Sequence, residues 1–169
     1  MDRRVEIRPE VAEDAAAVYD VERAAFDGPV QAGLVEVLRE EADPQLSLVA
    51  ALDDRIVGHI FFSPVVLEAG PPCCQLSPVA VEPEHQGRGI GAALVRAGVE
   101  ACPIRGWEAV FLVGNPVYYR RFGFEMAGPR GFACGGPHGP ALQVLELRRG
   151  ALAGAAGHVA FHPAFDALE

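Results

Sequence analysis

A glycine-rich turn near the middle of the chain combines residue types that could bind an anion. An apolar, strand-like stretch ends at Val81, and Gly87, Gly89 and Gly91 then lead into residues with helical apolar spacing. A helix N-terminus presents unpaired N–H groups and a partial positive charge, and glycine lets the backbone approach a ligand closely. The stretch therefore predicts an anion cradle suited to a phosphate or pyrophosphate.

Two familiar phosphate-binding patterns fit this turn poorly. A Walker A loop needs a lysine after its last glycine, and the chain contains no lysine. The dinucleotide fingerprint is formally met by Gly87, Gly89 and Ala92, with Glu108 about 20 residues further on. In that fingerprint the turn follows its strand directly, whereas residues 82–86 intervene here. We therefore do not expect a nucleotide-dependent oxidoreductase.

A third pattern, Q-x-x-G-x-G, is met by Gln86, Gly89 and Gly91 after a strand. A second motif lies downstream, where residues 115–124 read Asn-Pro-Val-Tyr-Tyr-Arg-Arg-Phe-Gly-Phe. The two motifs, in this order and separated by one helix and one apolar strand, resemble the GNAT superfamily of acyl-CoA-dependent N-acetyltransferases. The resemblance is specific over residues 76–124 and extends less distinctly toward both ends.

The resemblance implies a fold and an activity. The fold is a single α/β (α+β) domain over residues 1–169, with a mixed, mostly antiparallel central sheet flanked by helices. That sheet is splayed between its fourth and fifth strands, and the acyl-pantetheine enters the gap. The activity is transfer of an acetyl group from acetyl-CoA to a primary amine by direct attack on the thioester. The alternative is a non-catalytic module of the same fold that binds or senses acyl-CoA.

The resemblance also implies which residues contact coenzyme A. Backbone amides of the central strand, the glycine-rich turn and the next helix would bind the pantetheine arm and the pyrophosphate. Arg88 could add charge to a phosphate or could be a solvated turn residue. The expected cofactor-binding residues are Val79, Ala80, Val81, Gln86, Gly87, Arg88, Gly89, Ile90, Gly91, Ala92 and Asn115.

Two residues are candidates for proton transfer. Tyr119 lies four residues before Gly123, at the tyrosine position of the family motif, and a phenol with a pKa near 10 could protonate the departing thiolate. Glu82, at the end of the central strand, is the first candidate for the base, although a solvated turn residue would look the same. Asp27 is the second candidate for the base. Phe26 and Asp27 are candidate substrate contacts or an ordinary corner between helices.

Hydrophobic spacing and turn residues predict the elements that must position these groups. Pro78 cannot donate a sheet hydrogen bond, so it indicates an edge, a bulge or the splayed pairing that the resemblance implies. His59 is expected to be a packed core residue rather than a catalyst. Residues 128–140 should form an irregular loop. We expect strands at 5–8, 46–52, 56–66, 110–113 and 141–147, a central strand ending at 81, and helices at 9–26, 30–43, 90–101 and 117–122.

Composition bounds the partners and the location. A net charge of −9 disfavours nucleic acid and is compatible with a cationic amine, small molecule or peptide. The chain shows no apolar run long enough to cross a bilayer and no apolar signal segment, so we expect a cytoplasmic protein without membrane contact. In a cytoplasmic protein we expect the four cysteines to be free thiols, and because they lack C-x-x-C spacing we expect no metal site. A homodimer is an arrangement that the sequence leaves open.

Overall fold

The computed structural model describes residues 4–168, which form one mixed sheet with helices on both faces. The helices are α1 (Ala15–Ala25), α2 (Val30–Glu41), α3 (Ile90–Ala101) and the short α4 (Pro116–Tyr119). The strands are β1 (Val5–Pro9), β2 (Leu46–Leu52), β3 (Arg55–Ala69), β4 (Cys73–Val81), β5 (Ala109–Val113), β6 (Glu125–Met126), β7 (Phe132–Ala133), β8 (Leu142–Glu146) and β9 (Ala156–Ala160). None of the helices in the described range is both long and apolar enough to span a membrane.

The sheet is mostly antiparallel, and its strands follow the order β1-β2-β3-β4-β5-β8-β6. The exception along this path is the parallel pair of β4 and β5, which is in register only at Cys74 with Val110 and at Gln75 with Phe111. After Gln75 the two strands part, which leaves backbone groups of β4 without a neighbour on that side. The predicted splay between the fourth and fifth strands is confirmed.

Pro78 lies at an irregularity on the other edge of β4. Ile60 of β3 pairs with Val79, but Phe62 pairs with Leu76, so Phe61 alone is opposite Ser77 and Pro78. Two residues facing one is a bulge, a place where proline's missing N–H does no harm. From the sequence, Pro78 could indicate an edge strand, a bulge or a splayed pairing. The structure shows a bulge against β3 where β4 leaves β5.

Apolar cores cover both faces of the sheet. Successive strand residues point to opposite faces, and Phe61 and Phe62 are both fully buried in this way. Phe62 packs under α3 with Leu94, and Phe61 packs under α1 and α2 with Leu38. Fully burying such a side chain stabilises the fold by about 1.5–3 kcal/mol. Because both faces are covered, α3 and the α1–α2 pair have fixed positions relative to the parted strands.

A buried polar network attaches α1 and α2 to the sheet. His59 is fully buried, with Nδ1 2.8 Å from Glu22 Oε1 and Nε2 2.8 Å from Ser47 Oγ. The Ser47 hydroxyl also donates to Glu10, which accepts from Arg39 Nη2 at 2.5 Å. Burial lowers the pKa of His59, but the neighbouring carboxylates outweigh burial and raise it overall. His59 is therefore a packed core residue, as predicted.

The start of the first helix and the loop at residues 128–140 differ most from expectation, and β3 also extends three residues beyond its expected end at 66. The first helix begins at Ala15 rather than Pro9, because Pro9 ends β1 opposite Leu48 and a 3₁₀ turn (Ala12–Asp14) intervenes. The loop at residues 128–140 contains the short β7, which pairs in parallel with β9. In the tail, β9 pairs with β3 as well as with β7. All four cysteines are free thiols, as expected.

Candidate functional site

The glycine-rich turn forms the N-terminus of α3. Gly87 and Gly89 have φ of 77° and 83°, the left-handed region in which glycine is favoured, and Gly89 is the N-cap residue. No side chain caps this end of the 12-residue helix, so the amides of its first turn are available to a ligand. The helix dipole adds a partial positive charge at the same place. This geometry is that of an anion cradle.

A cavity of about 480 Å³ lies against this helix end, and we call it the cradle cavity. It is bounded by the end of β4, the glycine-rich turn, the first turn of α3 and the α4 region. All the residues expected to bind the cofactor line it except Arg88 and Asn115. His85, Tyr118 and Arg121 also line the cavity, although no sequence motif marked them as ligand-binding residues.

Arg88 and Asn115 have other surroundings. Arg88 is exposed on the outside of the turn. Asn115 is the N-cap of α4, where its Oδ1 accepts a hydrogen bond from the Val117 amide at 2.9 Å. Gln86, in contrast, ties the turn to the strand, because its Nε2 donates to the Val81 carbonyl at 2.9 Å. The cradle therefore consists mainly of backbone positioned by Gln86.

Arg121 supplies a positive charge to the cradle cavity. Its guanidinium carbon lies 4.4 Å from the centre of the Tyr118 ring, and its Nε donates to the Tyr118 carbonyl at 2.8 Å. These contacts hold the side chain beside the cavity that Tyr118 also lines. The sequence spacing could have identified Arg121, because it lies three residues after Tyr118 and residues three apart on a helical turn share a face.

Tyr119 lies between the cradle cavity and the end of β5. Its ring is edge-on to Tyr118, with ring centres 4.9 Å apart, and to Phe124, with ring centres 5.9 Å apart. The ring also covers Gly114, where an added methyl group would lie 2.7 Å from Tyr119 Cε2. Burial raises the pKa of Tyr119 to about 12, so the phenol keeps its proton at neutral pH.

Glu82 follows β4 and takes part in ion pairs. Its Oε1 accepts from Arg55 Nη2 at 2.9 Å, and its Oε2 lies 3.2 Å from His85 Nδ1. Arg55 also reaches Glu84, at 3.6 Å. Glu82, Glu84 and His85 are close enough to share a cation, and the Arg55 guanidinium, which contacts both carboxylates, places one positive charge beside them. Glu82 is not among the residues that line the cradle cavity.

A second and larger cavity, of about 740 Å³, starts at the point where β4 and β5 part, and we call it the fork cavity. Gln75 and Ser77 of β4 and Gly114 after β5 form part of its lining. Phe161 and Phe165 also line it, and both pack with the core under α1 and α2. The fork cavity therefore lies on the face opposite α3, so the gap between β4 and β5 has a cavity on each side.

Phe26 and Asp27 lie apart from both cavities. Asp27, with φ of 52°, lines a separate pocket of about 400 Å³ at the corner between α1 and α2, and Phe26 is 41% exposed beside it. The lining of this corner pocket shares no residue with the other two. The structure thus places Tyr119 behind Tyr118, next to the cradle cavity but not in its lining, and places the expected substrate contacts elsewhere.

The arrangement of cradle, parted strands and buried tyrosine agrees with a family match. Residues 15–124, which include α1 to α4 and both parted strands, match the sequence model of the acetyltransferase (GNAT) family. The chain belongs to the GNAT acetyltransferase family. Its GNAT relatives include a protein named uncharacterized N-acetyltransferase YhbS from Escherichia coli strain K12. The two are 34% identical over 163 residues, which cover 95% of this chain and 98% of YhbS.

Solved GNAT structures share the fold over nearly the whole chain. A crystal structure of YhbS from Escherichia coli in complex with CoA has a TM-score of 0.92 at 33% identity, and covers 98% of this chain and 94% of that one. A GNAT family acetyltransferase from Brucella melitensis, in complex with acetyl-CoA, has a TM-score of 0.79 at 35% identity. That match covers 98% of this chain and 100% of the other.

Proposed function

We propose that this GNAT protein transfers an acetyl group from acetyl-CoA to a primary amine. One observation carries the proposal: β4 and β5 pair at Cys74 and Gln75 and then part, with an anion cradle on one side of the gap and a large cavity on the other. The complexes of its relatives with CoA and acetyl-CoA support the choice of cosubstrate. The gap would let a thioester and an amine meet from opposite faces of the sheet.

Coenzyme A would bind along the cradle cavity. The amides of the turn and the start of α3 would hold the diphosphate, and Arg121 would add a positive charge. The pantetheine arm would then lie alongside β4 in the gap, with its amides bonded to the backbone around Val79, Ala80 and Val81. Backbone N–H groups there would also polarise the thioester carbonyl and stabilise the oxyanion that forms during attack. We still propose that Arg88 and Asn115 contact coenzyme A, but from outside the lining of the cradle cavity.

The reaction needs no reagent other than acetyl-CoA and the amine. The amine nitrogen attacks the thioester carbon, a C–N bond forms and the C–S bond breaks. One proton leaves the nitrogen and the thiolate gains one, which gives an amide and free coenzyme A. The amine must be neutral to attack. At pH 7 deprotonation costs about 4.6 kcal/mol for a lysine-like amine and about 1.4 kcal/mol for an α-amine with a pKa near 8.

Tyr119 would donate the proton to the departing sulfur. It lies between Tyr118, which lines the cradle cavity, and Gly114, which lines the fork cavity, and this is where the thioester would be placed. Its raised pKa keeps the donor protonated at the pH of the reaction. We expect Tyr119→Phe to lower turnover by about 10²-fold or more while coenzyme A affinity stays the same. Tyr19→Phe on α1, outside the lining of both cavities, is the matched control, and it should leave turnover nearly unchanged.

Glu82 remains our proposed base, acting through water because its oxygens contact Arg55 and His85. Asp27 remains the second candidate for the base, and Phe26 and Asp27 remain proposed substrate contacts. We expect Glu82→Gln to shift the rate profile toward high pH, where the amine loses its proton without help. An unchanged profile would exclude Glu82 as the base and leave Asp27 to be tested in the same way.

The alternative is a GNAT module that binds acyl-CoA without turnover. A screen of amines with acetyl-CoA, monitored by release of free thiol, separates the two functions. Thiol release that depends on an amine supports the transferase. Tight acetyl-CoA binding with no release for any amine would support the sensing module instead. A cytoplasmic location is part of the same proposal.

A further inference from the structure

The part of the chain that builds the cradle cavity carries arginines without acidic partners. Between residues 88 and 121 the structure shows no ion pair between an arginine and any carboxylate of the described chain. Arginines elsewhere, such as Arg8, Arg39 and Arg148, do form such pairs. In a protein with a net charge of −9, unpaired cations in one region favour a ligand with several negative charges there.

Arg121 is the arginine that lines the cradle cavity among the described residues, and its side chain is held in place. The guanidinium lies over the Tyr118 ring, 4.4 Å from its centre, while Nε donates to the Tyr118 carbonyl at 2.8 Å. The two terminal nitrogens carry further N–H donors, which no described residue accepts. A fixed guanidinium with both terminal nitrogens available suits bidentate recognition of a phosphate.

The Tyr118 ring separates Arg121 from the amides at the start of α3. Tyr118 Oη lies 3.5 Å from an ideal Cβ on Gly91, in the first turn of α3, and Arg121 covers the face of the same ring. The cavity therefore offers two sites for anions, the backbone amides and Arg121, with one aromatic ring between them. In coenzyme A a ribose lies between the 5′-diphosphate and a separate 3′-phosphate, and this sugar is a spacer of similar width.

We propose that Arg121 binds the 3′-phosphate of coenzyme A, so that the protein distinguishes coenzyme A from dephospho-coenzyme A, which lacks that group. The terminal nitrogens of Arg121 donate to the phosphate oxygens. Tyr118 is a positioning residue, because its ring and its carbonyl hold the guanidinium. The inference rests on the proposed function, which places the diphosphate at the start of α3, and it assigns the third phosphate of the ligand to a side chain outside that turn.

Calorimetry with coenzyme A and with dephospho-coenzyme A, at one ionic strength, tests the assignment. We expect the wild type to bind dephospho-coenzyme A with a Kd about tenfold higher, as for the loss of a hydrogen bond to a charged group at an exposed site. Arg121→Gln should raise the Kd of coenzyme A about tenfold and leave that of dephospho-coenzyme A unchanged. Its side chain is exposed, so the free energy of unfolding in urea should not change.

Three variants are matched to this one. Arg121→Lys keeps the charge without the planar fork, so a ratio of about threefold between the two Kd values should remain. Arg120→Gln removes the same charge from the next residue, which is absent from the described lining of the cavity, and should keep the tenfold ratio. Tyr118→Leu removes the ring under the guanidinium and should lower the ratio about threefold.

The outcomes separate the inference from the proposed function. An unchanged ratio in Arg121→Gln would overturn the inference, and so would equal weakening of both ligands, because Arg121 would then contact the diphosphate or the adenine. Amine-dependent release of thiol from acetyl-CoA would still support acetyl transfer in both cases. If the ratio depends on Arg121 but no amine releases thiol, the 3′-phosphate site stands and acetyl transfer fails. If the wild type binds neither ligand, both are wrong.

Discussion

One substitution, glycine to alanine, should have opposite consequences at two positions of α3. At Gly91 an ideal Cβ would lie 3.5 Å from Tyr118 Oη and 3.8 Å from Val81 Cγ2, which are ordinary contact distances. Alanine is preferred over glycine in a helix by up to about 1 kcal/mol. Gly91→Ala should therefore fold with unchanged or slightly higher stability. Its methyl group, however, would project into the cradle cavity, which Gly91, Tyr118 and Val81 all line.

Coenzyme A should bind this variant more weakly. If the diphosphate lies against the first turn of α3, the methyl group of Gly91→Ala occupies space that the ligand needs. We expect the Kd for coenzyme A to rise at least tenfold, which corresponds to about 1.4 kcal/mol. Titration calorimetry measures the Kd, and urea unfolding without ligand measures the free energy of unfolding.

Gly98→Ala should show the reverse. Its Cβ would lie 2.2 Å from Cε1 and 2.4 Å from Cζ of Phe62, whose ring is fully buried and cannot move away freely. Overpacking of this kind costs about 1–3 kcal/mol, and the helical preference for alanine offsets at most about 1 kcal/mol of it. We expect a net loss of about 1–2 kcal/mol, or a fall in Tm of about 2–8 °C for a domain of this size.

A third glycine provides the control. Among the described residues, no atom outside the neighbouring backbone of α2 lies within 4 Å of an ideal Cβ at Gly33, so Gly33→Ala should show the helical preference alone. Gly98→Ala should bind coenzyme A like the wild type at temperatures where it is folded. If Gly91→Ala keeps its affinity for coenzyme A, or if Gly98→Ala loses affinity while folded, the assignment of the cradle to the start of α3 is wrong.

Three further predictions concern titration. Burial alone would raise the pKa of Glu10, but its hydrogen bonds with His59 and Ser47 lower that pKa to about 2. The ionised carboxylate should therefore stabilise the fold by about 3 kcal/mol above pH 5. Glu10→Gln should lower the free energy of unfolding in urea by about 3 kcal/mol at pH 7 but by only about half as much at pH 3. An equal loss at the two pH values would contradict the network of Glu10, His59 and Ser47. His59 has a raised pKa, so its stabilisation is complete below pH about 6.5 and is lost as pH rises through the folded value. His59→Gln should therefore destabilise the protein more at pH 6 than at pH 10; the opposite order would show that His59 is buried neutral. If Tyr119 acts as the acid, its pKa of about 12 predicts that turnover persists through pH 10–11, and a fall centred near pH 10 would contradict its burial.

The sequence was sufficient to predict the elements whose structure is determined by local patterns of residues. The strand predicted at residues 46–52 from an apolar run has those bounds in the structure, and Asp53 and Asp54 in the turn after it have positive φ. The cradle followed from glycines at the start of a helix. Pro9 misled the prediction of the first helix, because proline is acceptable both at a helix start and at the end of an edge strand.

The features that the sequence did not reveal depend on distant contacts. His59 and Glu22 are 37 residues apart, and neither shows by spacing that the other will be its partner. The fork cavity combines Gln75 of β4 with Phe161 and Phe165 from a weakly patterned tail. The parting of β4 and β5 was expected only through the family resemblance. Spacing alone indicated an irregularity at Pro78.

Hydrogen exchange with and without coenzyme A tests the central claim most directly. We predict that saturating coenzyme A slows exchange at the amides of residues 87–92 and 79–81, and leaves the corner between α1 and α2 unchanged. The Gly91→Ala variant should need a higher ligand concentration for the same protection. Binding of coenzyme A without protection of the turn and the start of α3 would contradict our account of how this protein holds its cosubstrate.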